Sequence, residues 1–304
     1  MTQQNQAPPA DFRSYWQQVM DELAALPPSP EVEPHAIRST DYADCYTVRL
    51  TSTGPYRIFA YLSIPHGDGP FPARCYLPRY ATVVEPIPQG APNGLRGRYV
   101  TLSVGVRGSR MANQPYTADI PGWYTEGIDD PQTYVFRGIV ADCCRGLEYL
   151  VSRPEVDPSR VVAMGNDLAI IAAALTSRAT HVVCNPALFY RTPELAPNTE
   201  AYPLEELNDY LRLHPEKKDA VHDTLNRFDL RWFAPDVNVP TLVAEGGLGG
   251  PMTNEVLAPL GDLLGQGEVR ASQHSSYKDG LNTEQWITRH MGFSEPVLPE
   301  HWQV

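Results

Sequence analysis

The chain is poor in the residues that would give it an easy identity. Only five of its 304 residues are cysteines, and none stands in a C-x-x-C pair. Cys45, Cys75, Cys143, Cys144 and Cys184 are an odd number with no histidine cluster at zinc spacing. They read as small buried hydrophobes in a reducing cytoplasm, not as a disulfide framework or a metal site. Basic residues are scarce too, 24 Lys and Arg against 36 Asp and Glu, a net charge of −12. With no basic excess to release counterions, a general phosphate-backbone binder is not expected, so no nucleic acid partner is. No apolar run approaches the ~18 residues that span a bilayer, which excludes a transmembrane helix. Met1 to Ala10 has neither the cationic start nor the apolar stretch of a secretory signal, so a cytoplasmic location is expected. The glycines Gly246, Gly247, Gly249 and Gly250 lack the Lys-Ser/Thr ending of a phosphate loop. No cofactor is expected.

What is present is a core-forming composition, 42% hydrophobic, enough for one large α/β domain. Thirty prolines are spread along the chain and imply many defined loops around a rigid scaffold. Residues 1–10 read as a disordered lead, and 11–304 as a single domain. Asp11 to Leu26 has Phe12, Trp16, Val19, Met20 and Leu23 at helical spacing and ends at Pro27 and Pro28. Cys45 to Leu50 and Arg57 to Ile64 predict a hairpin about Thr53, Gly54 and Pro55. Ala73 to Leu77 and Tyr99 to Val106 predict two more strands, with a Pro/Gly-rich loop between them. Residues 107–135 are a long excursion rich in Gly, Tyr and Trp, the kind of loop that is usually functional or a packing arm. Ile139 to Val151 is a clear helix, Val161 to Met164 a strand, Leu168 to Leu175 an apolar helix and His181 to Cys184 a strand. Residues 190–236 read as a helical insertion. Strands at Thr241 to Ala244 and Val269 to Ser272 and a helix over Thr283 to Met291 close the chain. Strands alternating with helices predict a doubly wound, mostly parallel sheet.

The most informative segment is Arg160-Val-Val-Ala-Met-Gly-Asn-Asp167-Leu168-Ala169, a strand, a sharp turn and an apolar helix. In an α/β-hydrolase this geometry is the nucleophile elbow G-x-S-x-G, where a strained turn lifts the nucleophile over the sheet. Here Gly165 is in place, the central residue is Asp167 and the last glycine is Ala169. Taken alone, such a junction occurs in any α/β fold, and Asp167 then merely caps the helix.

The wider chain resembles the acetyl xylan esterase / cephalosporin C deacetylase family, carbohydrate esterases of the α/β-hydrolase fold. The resemblance runs from Asp11-Phe12, Tyr15-Trp16 and Leu26-Pro27 through Arg107-Gly108, Asp130 to Gly138, Ala141-Asp142 and Arg145. Ser152-Arg-Pro-Glu-Val-Asp-Pro-Ser-Arg160 is particularly specific. Tyr210 to Pro215, Phe228-Asp229 and Val239-Pro-Thr-Leu242 complete it. Several of these motifs belong to the scaffold, so they speak for fold more than for activity. The resemblance also implies self-association as trimers or hexamers.

Carried over position by position, the family's catalytic residues are replaced. The nucleophilic serine falls on Asp167. The loop after Ala244, where the catalytic aspartate belongs, has no carboxylate between Glu245 and Glu255. The histidine falls on Tyr277, with His274 three residues early. The His-Gly-Tyr oxyanion loop reads Pro78-Arg79-Tyr80, and the backbone N–H groups of Tyr80 and Leu168 match the oxyanion donors.

Serine catalysis needs a hydroxyl and a base within ~2.6–3.2 Å. Asp167 has no proton to lose and is a poor nucleophile toward esters. A carboxylate at a helix N-terminus is stabilised as an anion, and a charge there repels the oxyanion. Aspartate nucleophiles attack alkyl carbon in some α/β-hydrolases, but a histidine must then activate water. Three functions stay open. The first is non-hydrolytic acid–base chemistry on a small molecule (a cyclisation, elimination or isomerisation), with Asp167 and Tyr277 within hydrogen-bond reach. The second is a binding or structural protein without turnover. The third is a residual hydrolase pairing Asp167 with His274.

Arg79 beside Tyr80 is a candidate to hold an anionic substrate, and Trp123 with Tyr124 to form an aromatic wall. Arg107, Ser109 and Arg110 read as a solvated turn, and His181, His214 and His222 as ordinary polar positions. No metal constellation is present in the sequence.

Overall fold

A computed structural model describes residues 7–80, 94–246 and 249–298. The start of the expected lead, most of the Pro/Gly-rich loop and Gly247 lie outside the described residues. The sheet has nine strands in the order β1-β2-β3-β5-β4-β6-β7-β8-β9. These are β1 (Glu31–Pro34), β2 (Ala43–Thr51), β3 (Arg57–Pro65), β4 (Phe71–Tyr76), β5 (Val100–Gly105), β6 (Val156–Gly165), β7 (His181–Cys184), β8 (Pro240–Ala244) and β9 (Gln266–Arg270). Strands β1, β2, β3 and β5 pair antiparallel, and every pair from β5 through β4 to β9 is parallel. The crossover β4–β5–β6 reverses the strand order at β4, and ligand crevices form outside the strand ends at such a point.

The helices are α1 (Phe12–Ala24), α2 (Leu95–Arg98), α3 (Val135–Val151), α4 (Asp167–Thr176), α5 (Thr192–Leu195), α6 (Leu204–Leu213), α7 (Lys218–Asn226), α8 (Leu230–Phe233), α9 (Asn254–Leu263) and α10 (Ser276–His290). Ile139, Cys143, Leu147 and Leu150, spaced four, four and three apart, are the buried stripe of α3. Helix α4 is buried from Asp167 to Ala173 and so carries almost no polar residues. On a separate patch of the core, Trp286, Ile287 and Met291 pack with Val162, Val183 and Leu242 and seat α10. Each such side chain contributes roughly 1.5–3 kcal/mol on burial. The salt bridge of Arg74 with Glu284 fastens the same helix, with two bonds of 2.6 and 2.7 Å and the guanidinium 4.1 Å over Tyr99.

Several expected elements shift. Strand β9 ends at Arg270, so Ala271 and Ser272 belong to the following loop. Helix α10 begins seven residues before Thr283, because Ser275 accepts the N–H of Lys278 and caps it. Helix α9 and the edge strand β1 were not expected. In α9, Thr253 caps the start and Leu257 and Leu260 supply the buried side. Strand β1 is exposed throughout and has no apolar alternation to announce it.

Candidate functional site

Strand β6 ends at Gly165, where a Cβ would lie 3.0 Å from the Leu77 carbonyl oxygen at the end of β4. Glycine is what lets these two strand ends approach so closely. Asn166 is the N-terminal flanking residue of α4 and Asp167 its first helical residue. The non-glycine residues with positive φ among those described are Ser29, Met111, Ser177, Arg191 and His274. Asp167 is not one of them, so the strained elbow expected here is absent.

Asp167 is fully buried, with 0% exposure. Its Oδ2 accepts the backbone N–H groups of Ala187 and Leu188 at 2.9 and 3.0 Å, and its Oδ1 that of Phe189 at 2.8 Å. Burial raises its pKa above the usual carboxylate value, and the three backbone donors work against that rise. This corrects two expectations. Asp167 does not cap α4, and both its oxygens are taken up by the loop after β7. Nor does it meet Tyr277 or His274 among its described hydrogen bonds. Tyr277 sits in the first turn of α10, 37% exposed. His274 has a φ of 50° and its N–H donates to the Ser272 hydroxyl. That loop is organised by Asp279, which accepts from the Ser272 hydroxyl and the Gln273 N–H, and by Glu245, which accepts the Ser272 N–H. Two carboxylates, Glu245 and Asp279, thus fix the loop that follows β9.

The loop after β7 is a hub. The Tyr124 hydroxyl donates to the Leu188 carbonyl at 2.7 Å, and the Asn166 amide donates to the Asn185 carbonyl at 2.7 Å. Asn166, not Asp167, is thus the turn residue that faces open space. It borders a groove of about 480 Å³ together with Arg79, Tyr80, Ile120, Pro121 and Tyr202. Beneath this groove a space of about 10 Å³ is bounded by Tyr80, Trp123, Asn166 and Leu168. On the α10 side, a cavity of about 460 Å³ reaches Arg79, Gly165, Glu245, Ser272 and Asp279. Of the residues singled out in the sequence, Arg79 and Tyr80 border both the groove and the small space, and Trp123 and Leu168 border the small space alone. The described walls of these three spaces include neither His274 nor Tyr277.

One further group was missed. Glu206 of α6 is buried, accepts the Tyr124 N–H at 2.8 Å with Oε1 and the Tyr80 hydroxyl with Oε2. Burial raises its pKa. The Tyr80 ring stacks on Trp123 at 6.2 Å. Only the sequence distance of 126 residues between Tyr80 and Glu206 hid the pair. Among the described residues no three His, Cys, Asp or Glu side chains gather as metal ligands, and no helix is long and apolar enough to cross a membrane.

Residues 2–253 match the family model described as acetyl xylan esterase (AXE1). The chain is similar to the acetyl esterase Axe7A of Xylanibacter ruminicola, 26% identical over 256 residues, covering 78% of this chain and 56% of that protein. The chain thus spans little more than half the length of this curated relative. The acetyl xylan esterase of Paenibacillus sp. R4 superposes with a TM-score of 0.76 at 24% identity, over 93% of this chain and 96% of that one. Acetyl xylan esterase 1 of Thermoanaerobacterium sp. JW/SL YS485 does so with the same TM-score at 20% identity, over 93% and 94%. These likenesses, with the observed topology, show an α/β-hydrolase fold.

Proposed function

Given that the chain belongs to the acetyl xylan esterase family, we propose that it keeps the family's scaffold without Ser-His-Asp hydrolysis and holds a small molecule in the groove beside Asn166. One observation carries this reading. The side chain at the nucleophile position is sequestered, its two oxygens taken up by three backbone N–H groups. An acyl-transfer enzyme needs that side chain in contact with the carbonyl carbon and next to a base. Asp167 satisfies neither condition, and as a carboxylate it has no hydroxyl proton to give up.

The groove has the make-up of a small-molecule site, apolar walls with a few convergent polar groups. Ile120, Pro121, Tyr202 and Pro203 supply the walls, and Arg79, Tyr80 and Asn166 the polar end.

A second reading has its own observation. The Tyr80 phenol donates to the buried Glu206 carboxylate at the edge of this groove. Such a pair suits proton transfer. It takes over the acid–base role first expected of Asp167 and Tyr277.

The test is turnover of a chromogenic acetate ester. The proposal expects no hydrolysis above the rate of unrelated protein. Turnover that disappears in His274→Ala would overturn it and restore the hydrolase.

A further inference from the structure

One buried carboxylate joins three stretches of chain that form the groove. Glu206 is 4% exposed and stands in the first turn of α6, just after Tyr202 and Pro203, which supply one wall. Its Oε1 accepts the Tyr124 N–H at 2.8 Å, three residues beyond Pro121, which with Ile120 supplies a second wall. Its Oε2 accepts the hydroxyl of Tyr80, at the polar end. These donors are neutral. Among the described residues no Lys, Arg or His pairs with it, Arg79 beside Tyr80 included. The charged and titratable side chains of the surrounding elements are engaged elsewhere. Glu205 and Asp209 of the same helix pair with Arg212, Lys217 pairs with Asp129 and bonds the Tyr210 hydroxyl, and His214 lies 3.8 Å from Glu216. The Tyr124 hydroxyl gives to the Leu188 carbonyl, and Asp167 is bound to the loop after β7.

A carboxylate buried without a counter-ion is costly to keep ionised. Two changes relieve it: binding a proton, or moving into water. Protonated in place, it keeps all its contacts, since its carbonyl oxygen accepts the Tyr124 N–H and its O–H donates to the Tyr80 oxygen. Ionised, it gains by moving outward, and the start of α6 with Tyr202 and Pro203 moves with it. We infer that Glu206 is a proton-controlled latch on the groove, which holds the two walls together when protonated and loosens that hold when ionised. The latch stands on its hydrogen bonds alone; that it governs a ligand rests on the reading that the groove holds a small molecule. Burial raises the pKa of Glu206, the direction a latch of this sign requires. The closed form binds the proton more tightly than the open one, so closure is fullest below the ordinary glutamate value and weakens as pH rises through the raised one.

The experiment follows the Tyr124 N–H, which is bonded to the latch itself, by amide hydrogen exchange of the full chain from pH 4 to pH 8. The quantity read is the observed rate divided by the rate of an unstructured peptide at the same pH. That ratio should rise about tenfold per pH unit within the transition, the slope of a single proton released on opening. It should stay flat in Glu206→Gln, which cannot titrate. Tyr80→Phe takes one donor from the carboxylate and should move the transition to higher pH; it decides the question if Glu206→Gln does not fold. A ratio that is constant or falls with pH in the wild type, one that changes identically in Glu206→Gln, or a transition unmoved by Tyr80→Phe overturns the inference. Ester turnover is measured independently. Hydrolysis with the transition intact would remove the functional reading alone, and absence of the transition without hydrolysis would remove this inference alone.

Discussion

The Oδ1 of Asp167 accepts the backbone N–H of Phe189 at 2.8 Å, joining the first turn of α4 to the loop that follows the neighbouring strand. The residue that occupies the nucleophile's position is therefore a fastener between two strand ends. Its charge is expressed inward, toward Ala187, Leu188 and Phe189, and not toward the groove.

A serine at position 167 is expected to give no ester turnover. Asp167→Ser removes the acceptor of three buried N–H groups, and among the described residues no histidine is hydrogen-bonded at this position to take the hydroxyl proton. The variant should lose about 2–4 kcal/mol of stability, from unpaired donors partly offset by relief of a buried charge. It should show no acetate-ester turnover. Denaturant unfolding and the chromogenic assay check both halves, and an active serine variant would contradict the account.

The pH dependence has a defined sign. Burial holds the folded-state pKa of Asp167 above its unfolded value. The favourable contribution of such a group is complete below the unfolded value, about 3.9, and is lost as pH rises through the folded one. Asp167→Asn cannot titrate at this position. The stability of the wild type relative to this variant should decline as pH rises from about 4 to the raised folded value, then level off. Chemical denaturation of both proteins across that window measures it; a difference that grows with pH contradicts it.

Glu206 ties the helical insertion to the groove. Replacing it by Leu strands the Tyr124 N–H and frees the Tyr80 hydroxyl. A cost of about 1–3 kcal/mol is expected. Denaturant unfolding of Glu206→Leu, Tyr80→Phe and the double variant checks the link: the two losses should not add, and strictly additive losses would show that the two groups do not interact.

Glu284→Gln breaks the ion pair with Arg74, which is 1% exposed. An uncompensated buried guanidinium costs about 3–5 kcal/mol. Because the pair anchors α10, thermal unfolding should occur at clearly lower temperature, whereas Arg160, paired with Asp157 near the surface, should tolerate Asp157→Asn with a change below about 1 kcal/mol.

Much of this was legible in the sequence. The apolar stripes of α1 and α3 and the β-branched runs of β6, β7 and β8 declare themselves, because their burial follows directly from periodicity. The family resemblance singled out Asp167, Arg79, Tyr80 and Leu168, and Trp123 was picked out as an aromatic-wall candidate on its own. The direction of a side chain was not legible. Asp167 reads equally as a cap, a nucleophile or a buried acceptor until Ala187, Leu188 and Phe189 are in place around it. Helix α9 was hidden by Pro259 inside it and a weakly patterned start. Glu206 lacked any local signal, since its partners lie 82 and 126 residues away.

The central claim is that the Asp167 carboxylate is bound to the loop after β7, and amide hydrogen exchange reads it directly. The N–H groups of Ala187, Leu188 and Phe189 should exchange slowly in the wild type and at least tenfold faster in Asp167→Ala, the equivalent of losing about 1.4 kcal/mol or more of local protection. Rapid exchange of all three in the wild type, or identical rates in the two proteins, would contradict it.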